Sequence, residues 1–378
     1  MIVAADLAIK AGLASAVLFG VLNIAGLLAW VERKQSAIIQ DRIGANRAYF
    51  TLPGGWAMAP VNFLIRKLGG LGLLHPLADV LKMLSKEDYI PATGNRALHW
   101  LAPFVSVFFA LIAFAAIPIG NTLPLGGRVI DLQVARIDAG LLYVLAIASL
   151  GIYGVFLAGM SSNNNYAFLG ALRAASQMLS YEITLGVALM GVVMAFGAVD
   201  LQEMVRRQGS YCLGWLPKWG LFVQPLAAML FLVAGIAETK RIPFDLPEGE
   251  SEIIGYFVEY SGMKFGLFFL ADFVESVLIS ALWVTLFLGG WQVPYLGQQG
   301  FAFPWGAVWQ LPPLAVSLLQ IGAFTFKVIA MLWLLMQVRW TLPRFRYDQL
   351  MRLGWKMLFP LSLANIAITA LVIVGLGR

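Results

Sequence analysis

The stretch FGLFFLADFVESVLISALWVTLFL, from Phe265 to Leu288, decides the fold class of this protein. It is apolar over nearly its whole length, and as a helix rising about 1.5 Å per residue it crosses the roughly 30 Å of a bilayer's hydrocarbon core. Asp272 and Glu275 interrupt it, and their spacing of three places both carboxylates on one helical face. A charged residue is costly to bury inside a membrane-spanning segment, so its presence there suggests a function. We therefore predict a membrane-spanning helix whose ionisable groups handle protons or ions.

The rest of the chain repeats this apolar pattern. Of its 378 residues, 60% are hydrophobic and only 12% are charged, and the mean hydropathy is +0.80. Such a composition cannot fold as one water-soluble core. We predict an all-α integral membrane protein in which residues 1–378 form a single polytopic domain. The eight predicted spans are Ala11–Val31, Leu98–Ile119, Leu141–Met160, Leu179–Phe196, Leu221–Ala237, Phe265–Leu288, Leu314–Met336 and Leu358–Leu376.

Lysine and arginine are distributed unevenly between the connections of these spans. The connections after spans one, three, five and seven hold 18 of the 26 basic residues, whereas the termini and the other connections hold seven. Because this excess marks the cytoplasmic side, we predict that both termini are extracytoplasmic. The cytoplasmic loops predicted to form the functional face are 32–97, 161–178, 238–264 and 337–357. The first apolar run has almost no basic region ahead of it, so we expect an anchor rather than a signal peptide, in a bacterial inner membrane.

The basic loops account for the net charge of +6, and no basic, aromatic-interleaved soluble face suggests nucleic-acid binding. The single cysteine, Cys212, falls in a connection predicted to be extracytoplasmic. One cysteine can neither hold an iron–sulfur cluster nor form an internal disulfide. No metal site is predicted, and we expect a partner or a diffusible ligand to carry any electrons.

The first cytoplasmic connection has two parts of interest. Glu32-Arg33-Lys34 and the segment 40–47 are rich in charge, and interfacial anchoring explains basic residues at such a place without any further function. Further along, the segment 75–87 places Leu77, Val80, Leu81 and Leu84 on one helical face and its charged residues elsewhere. We predict an amphipathic helix in the membrane interface, which either shapes the mouth of a lipid-fed cavity or plugs the bundle.

Two further ionisable residues fall inside or beside apolar runs. Glu182 lies near the middle of a helix if that helix begins near Ala167, but it is a first-turn residue at the interface if the helix begins at Ser180. Lys327 lies in the middle of span seven, where we expect it to offset the charge of Asp272 and Glu275. A purely structural ion pair is the alternative interpretation of that arrangement.

The connection from Glu238 to Glu252 is the most acidic part of the chain. Pro243 ends span five, and Pro247 suits the first turn of a new helix. In that helix Glu248, Glu252 and Glu259 fall within about 40° of one another, which predicts a row of carboxylates on one face. The helix dipole alone explains Glu248 and Glu250, but not a row that continues toward a membrane helix. Lys240 and Arg241 are close enough in sequence to neutralise part of this charge.

Several motifs, in order and at matching separations, point to one family. They are Glu32-Arg33-Lys34, Gln40-Asp41-Arg42-Ile43-Gly44, Leu77-Ala78-Asp79 with Lys82, Ser161-Ser162-Asn163-Asn164, 170–175 leading to Ser180-Tyr181-Glu182, 237–241 with 243–248, and 259–265. The chain resembles, over nearly its full length, the H subunits of respiratory complex I. These are the quinone-site membrane subunits of proton-pumping NADH:quinone oxidoreductase.

The resemblance implies roles for particular residues. It implies that a quinone chamber is lined by Arg33, Arg42, Ala78, Asp79, Arg241, Phe244 and Asp245. It implies an acidic path for protons through Glu32, Glu182, Glu238, Glu248, Glu250, Glu252, Glu259 and Asp272. The substrate implied is quinone, and the implied partners are the peripheral-arm quinone-module subunits, the small membrane-arm subunits and the lipid bilayer. FMN and iron–sulfur clusters are expected in partner subunits.

The chain also departs from the family pattern. Ala45 stands in place of a usual proline, His75 in place of a usual glutamine, and Asp272-Phe273 in place of Glu-Tyr, while the stretch 48–74 is longer than the usual short link. His75 is either a polar interfacial anchor or a group that titrates near a quinone. Two other functions would also explain buried carboxylates: a membrane subunit of an energy-converting hydrogenase, and a secondary ion transporter, although no internal repeat supports the latter.

Overall fold

The computed structural model describes residues 2–125, 128–212, 215–249, 255–297 and 300–375. Within these residues, seven helical segments are long and apolar enough to cross a membrane. A shorter apolar helix, Pro225–Glu238, corresponds to the fifth predicted span and completes the set of eight. The all-α membrane fold is therefore confirmed. The helices are α1 (Ile2–Ile39), α2 (Ala59–Leu71), α3 (His75–Ser85), α4 (Arg96–Ile112), α5 (Gly140–Leu150), α6 (Ile152–Ser161), α7 (Asn165–Phe196), α8 (Leu201–Gln208), α9 (Gly220–Val223), α10 (Pro225–Glu238), α11 (Gly262–Phe287), α12 (Pro313–Thr341), α13 (Tyr347–Leu353) and α14 (Phe359–Gly375).

Helix α7 settles the position of Glu182. It begins after Asn164, whose side chain accepts a hydrogen bond from the Tyr166 amide as an N-cap, and it continues for 32 residues to Phe196. The alternative start at Ser180 is therefore wrong. Glu182 lies in the interior of this helix, away from the first-turn amides that would have satisfied its charge.

Two of the predicted spans are broken. The third consists of α5 and α6, which meet at Gly151. The fifth consists of α9 and α10, because Pro225 lacks the amide that would continue the helical hydrogen bonds across Gln224. Breaks of this kind leave backbone polar groups inside the bundle, where they face neighbouring side chains instead of lipid.

Glycines allow the central helices to pack closely. A Cβ at Gly154 would clash with Ser106 Oγ on α4, and a Cβ at Gly159 would clash with the Ala171 side chain on α7. Close backbone approach through small residues is how membrane helices gain packing energy without a hydrophobic driving force. This packing holds α6 between α4 and α7, and with it the break at Gly151.

Three small antiparallel sheets lie outside the predicted all-α plan. Asn121 beside the first sheet bonds through its amide to Gln320 of α12, and Tyr211 stacks on Tyr295 at 5.3 Å, so the sheets share one side of the bundle. That side is opposite the four basic connections. The strands are β1 (Thr122–Leu125) with β2 (Arg128–Asp131), β3 (Tyr211–Cys212) with β4 (Leu216–Pro217), and β5 (Leu296–Gly297), β6 (Gly300–Ala302) and β7 (Val308–Gln310) in that order.

Candidate functional site

The turn that ends α10 directs the chain back into the bundle. The Arg241 amide bonds to the Ile236 carbonyl at 3.4 Å, and the Lys240 amide bonds to the Ala237 carbonyl at 3.3 Å. This is the Schellman pattern, which requires a left-handed residue at the position of Lys240, and its φ is 53°. Glycine usually occupies that position, because a left-handed backbone costs a residue with a Cβ about 1–2 kcal/mol.

Lys240 is the cation of the buried acidic cluster. Its Nζ lies 2.7 Å from Asp272 Oδ1 and 3.9 Å from Glu275 Oε2, and its side chain is only 1% exposed. Burial works against the charged lysine, but the carboxylates around it, led by Asp272, raise the pKa of Lys240 well above its usual value. The ion pair therefore keeps Lys240 protonated, and it offsets the strain of the turn.

Lys327 has a different environment from the one predicted. Its Nζ donates to the backbone carbonyls of Leu288, Gly290 and Gln292 at 2.8, 3.0 and 2.6 Å. The prediction that Lys327 offsets Asp272 and Glu275 is wrong. Three carbonyls satisfy a half-buried ammonium near the end of α11, so no carboxylate is needed there.

Residues 241–249 form a folded loop beneath α7. Gln177 is fully buried and donates to the carbonyls of Ala237 and Phe244 at 2.7 and 2.8 Å. Phe244 itself is buried and packs between Tyr181 and Phe345 with ring centroids 6.0 and 5.5 Å away. In this chain Phe244 therefore stabilises the loop rather than facing an open chamber.

Two carboxyl groups of this loop have perturbed pKa values. Burial raises the pKa of Asp245 to about 6, although the Arg344 guanidinium, 3.1 Å away, works against the shift. Burial, followed by the negative charge of Asp272, raises the pKa of Glu248 well above its usual value. Both groups are thus able to exchange protons closer to neutrality than ordinary carboxyls.

The helical row predicted after Pro247 is not observed in the described residues 247–249 and 255–261. Glu248 lies in a turn, and the segment around Glu259 is also non-helical. Glu259 lies apart from Glu248 and accepts a hydrogen bond from Asn164 Nδ2 at 2.7 Å. Glu250 and Glu252 lie outside the described residues. Local spacing failed here because the described segments form isolated turns packed against α7 and α11 instead of a continuous helix.

A second group of carboxylates lies deeper in the bundle. Glu238 at the end of α10 is 7% exposed and has both Glu182 and Glu275 within electrostatic reach. The Ser149 hydroxyl lies within hydrogen-bonding reach of Glu182, and a Cβ at Gly151 would lie 3.6 Å from Glu275 Oε1. The break between α5 and α6 is therefore where these acids meet.

Glu32 belongs to a separate charged group at the end of α1. Its carboxylate pairs with Arg339 of α12 and, at 3.4 Å, with Arg241. The Arg241 guanidinium also lies 4.4 Å from the ring centroid of Phe273. Arg241 thus joins the acid of α1 to α11, where Asp272 lies within its electrostatic reach.

A cavity of about 500 Å³ lies between α1, α3 and the first half of α11. Its lining is mostly apolar, including Gly26, Met83 and Phe273, and an ion pair between Arg33 and Asp79 at 2.6 Å lies at its wall. The predicted amphipathic helix is confirmed as α3, and it forms one side of the cavity. Because Phe273 lines the cavity and contacts Arg241, a single ring separates the cavity from the charged residues beyond it. We call this group the charged cluster, and it comprises Glu32, Lys240, Arg241, Asp272 and Glu275.

The other predicted chamber residues lie outside this lining. Arg42 is exposed and donates to Gln40 at 2.7 Å, and Ala78 is exposed on α3. Asp245 lies in the loop beneath α7, and His75 places its Nδ1 3.2 Å from the Gly72 carbonyl, which fits an anchor. Within this chain, Arg33 and Asp79 are the predicted residues that the cavity brings together.

Sequence reasoning missed several members of the site. Arg339 and Arg344 pair with Glu32 and Asp245 from the far end of the chain, a distance in sequence that no local spacing reveals. Tyr256 is fully buried with its ring 5.4 Å from Lys240 Nζ. Burial raises the pKa of Tyr256 well above its usual value, so it remains a neutral hydroxyl.

Comparison with known proteins gives a consistent family. The NADH dehydrogenase family profile matches residues 12–370. An H subunit of NADH-quinone oxidoreductase from Geobacter metallireducens is 40% identical over 98% of both chains. The corresponding H subunit from Cytophaga hutchinsonii is 41% identical over 92% of both chains, and the one from Thermomicrobium roseum is 42% identical over 93% of this chain and 92% of its own.

Proposed function

The chain belongs to the NADH dehydrogenase family as an H-type membrane subunit of the enzyme complex NADH-quinone oxidoreductase, and on this premise we propose that it completes a quinone-binding chamber linked to proton translocation. The observation that carries the proposal is the wall shared by the cavity and the charged cluster, where Phe273 lines one and contacts Arg241 of the other.

The cavity suits a quinone in size and chemistry. Its volume of about 500 Å³ lies within the usual range for small-molecule sites, which are mostly apolar with a few fixed polar groups. Ala25 and Gly26 extend it to the level of the apolar part of α1, while Arg33 and Asp79 supply charge at the interface. An isoprenoid tail fits the first region, and a polar headgroup passes the second.

Reduction links this chamber to proton movement. A quinone that accepts two electrons from a partner protein of the complex takes up two protons to become a quinol. A change of charge on the quinone alters the field at Arg241 and Asp272, and through them the proton affinity of the nearby carboxyls. The proposed path runs from Asp245 and Glu248 past Asp272 to the group formed by Glu275, Glu238 and Glu182, with Glu32 as a side branch.

The partners and location follow from the same proposal. Electrons reach the quinone from peripheral-arm subunits that carry FMN and iron–sulfur clusters, and the small membrane-arm subunits cover the exposed apolar helix faces. The chain resides in a bacterial inner membrane with both termini extracytoplasmic, as the basic connections favour. The names of the relatives favour this function over the hydrogenase and transporter alternatives.

Filling the cavity tests the chamber. Gly26 lines the cavity, and a Cβ there would meet no atom of a neighbouring element within 4 Å, so Gly26→Trp directs an indole into the cavity. We expect the variant complex to assemble and to reduce a long-chain quinone about tenfold more slowly or worse, equivalent to roughly 1.4 kcal/mol.

Gly12→Trp is the matched control, because Gly12 is on the same helix, also has open space and does not line the cavity. Electron transfer from NADH to a water-soluble acceptor should be normal in both variants. A normal long-chain quinone rate in an assembled Gly26→Trp complex would reject this cavity as the quinone path.

The pKa of Asp245 predicts a pH effect. Its folded pKa of about 6 lies above the ordinary value of 3.8, so the folded protein binds this proton more tightly than the unfolded chain does. The stability that Asp245 contributes is therefore present at low pH and is lost as the pH rises through about 6. Asp245→Asn stays neutral, so its thermal inactivation should depend less on pH across the interval between the two pKa values, from about pH 4 to about pH 6.

Asp348→Asn is the control for this measurement, since Asp348 is an exposed partner of Arg346 in the neighbouring segment. Half-lives of quinone reductase activity in heated membranes provide the readout. Identical pH profiles for the wild type and Asp245→Asn would show that Asp245 does not titrate in this range.

A further inference from the structure

The segment 42–78 is basic and aromatic and carries no acidic residue. It contains Arg42, Arg47, Arg66 and Lys67, but neither aspartate nor glutamate. Exposed aromatic rings are interleaved with these charges, and Trp56 is 91% exposed. This composition is typical of segments that lie against an anionic membrane surface, where basic residues meet headgroups and aromatic rings occupy the interface. The cavity and the charged cluster use no residue of α2 or of the turn before it.

Helix α2 in this segment is a folded unit. Asn62 accepts a hydrogen bond from the Leu52 amide at 2.8 Å and donates to the Leu52 carbonyl at 3.1 Å. Gly69 lies so close to the preceding chain that a Cβ there would be 2.7 Å from Tyr49 Cβ. One side of α2 is therefore packed against residues 48–52, and the exposed face of the helix has a defined orientation.

The end of α2 is held at the level where the apolar part of α1 ends. Trp30 near the charged end of α1 donates its indole N–H to the Leu71 carbonyl at 2.8 Å. Gly72 ends the helix with a φ of 84°, and a Cβ there would clash with the Ala45 carbonyl oxygen. Tryptophan is enriched at membrane interfaces. The contact thus places α2 beside the boundary between hydrocarbon and water.

The exposed face of α2 is apolar with a basic margin. Val61, Leu64 and Leu71 fall within an arc of about 80° around the helix, and Lys67 lies about 40° beyond it. All three apolar side chains are exposed, Leu64 at 57%. The Lys67 ammonium lies 4.9 Å from the centroid of the Phe63 ring, which is on the side of Lys67 away from the apolar arc.

We infer that α2 and the turn before it form a second interfacial anchor that lies on the bilayer and binds anionic lipid headgroups. Trp56, Leu64 and Leu71 enter the boundary between headgroups and acyl chains, and Lys67 at the margin of the apolar arc lies against phosphates. Arg66 lies on the opposite, polar face of α2, where it adds positive charge at the level of the headgroups. A protein partner on this face would instead need acidic groups opposite the basic side chains and an apolar groove for Trp56. A bilayer that contains anionic lipids provides both a negatively charged surface and an apolar interior next to α1, without any additional protein.

Hydrogen exchange of the assembled complex in nanodiscs tests the lipid. We expect the amides of residues 59–71 to exchange at least about fivefold more slowly in discs of mixed phosphatidylcholine and phosphatidylglycerol than in phosphatidylcholine alone. Arg66→Gln with Lys67→Gln should remove that difference. Arg346→Gln with Arg352→Gln is the matched control, since it removes two basic charges from another loop on the same side and should leave the difference intact.

Photo-cross-linking in native membranes identifies what covers Trp56. With benzoylphenylalanine in place of Trp56, we expect lipid adducts by mass spectrometry and no shifted protein band on a denaturing gel. An adduct with another protein of the complex would assign this face to a protein contact and overturn the inference. Equal exchange of residues 59–71 in both kinds of disc would overturn it as well.

Discussion

Replacing Lys240 by methionine is expected to remove most of the assembled complex from the membrane and to abolish quinone reduction and proton pumping in what remains. The substitution leaves the largely buried Asp272 and Glu275 side chains, 14% and 15% exposed, without their cation, although the apolar volume is nearly preserved. Breaking a buried ion pair by removing one partner costs about 3–5 kcal/mol. Lys240 is 1% exposed, so water cannot replace the lost ammonium. Native gels, together with NADH-dependent quinone reduction, measure the outcome.

Lys327→Met is the control that separates the half-buried Lys327 from the buried Lys240. Lys327 bonds to three carbonyls rather than to the acidic cluster, so its loss should affect local stability but not the proton path. Residual complex from Lys327→Met should therefore pump with a normal ratio of protons to electrons. A near-normal Lys240→Met complex, or uncoupling by Lys327→Met, would contradict the assignment of Lys240 as the cation of the cluster.

A double variant distinguishes charge balance from catalysis. Lys240→Met combined with Asp272→Asn removes one charge of each sign, so assembly should recover by a large part of the lost free energy. Proton pumping should not recover, because the proposed path then lacks Asp272. Recovery of both assembly and pumping would mean that the pair is structural only.

Glu238→Gln is expected to reduce pumping about tenfold or more while quinone reduction falls less. Glutamine has nearly the same shape, and Glu238 Oε2 has no hydrogen-bond partner among the described residues, so little packing is lost. What is lost is a group that can release a proton between Glu182 and Glu275. Proton uptake measured beside NADH oxidation in sealed vesicles separates the two activities.

Two further variants make this result interpretable. Glu203→Gln alters an exposed carboxylate that pairs with Arg207 on α8, and it should pump normally. Glu259→Gln alters a predicted path residue that the structure places beside Asn164 instead, so its effect should be smaller than that of Glu238→Gln. Full pumping by an assembled Glu238→Gln complex would remove Glu238 from the path.

The sequence was sufficient for the features that depend on local composition. A helix needs about 20 apolar residues to cross the lipid bilayer, so the spans could be predicted from the sequence. Helix α3 could be predicted from the spacing of its apolar residues. The family could also be recognised from the sequence, because its motifs are short and contiguous. The length of α7 was predicted only as one of two alternatives, since a polar turn at Ser180 resembles an interfacial start.

Tertiary structure alone decided which charges meet. Sequence placed Lys240 at the end of α10 and Lys327 in the middle of α12, and depth in the membrane favoured Lys327 as the partner of Asp272. The opposite result arises from a left-handed turn at Lys240 and from three carbonyls around Lys327. The same holds for the described residues 247–249 and 255–261 of the loop after Pro247, which pack against α7 and α11 rather than form a helix. Apolar spans can be predicted from local sequence because each helix must bond its own backbone groups and present apolar side chains to lipid. A buried charge is instead stabilised by whichever distant group the folded backbone brings within reach, and local sequence does not specify that group.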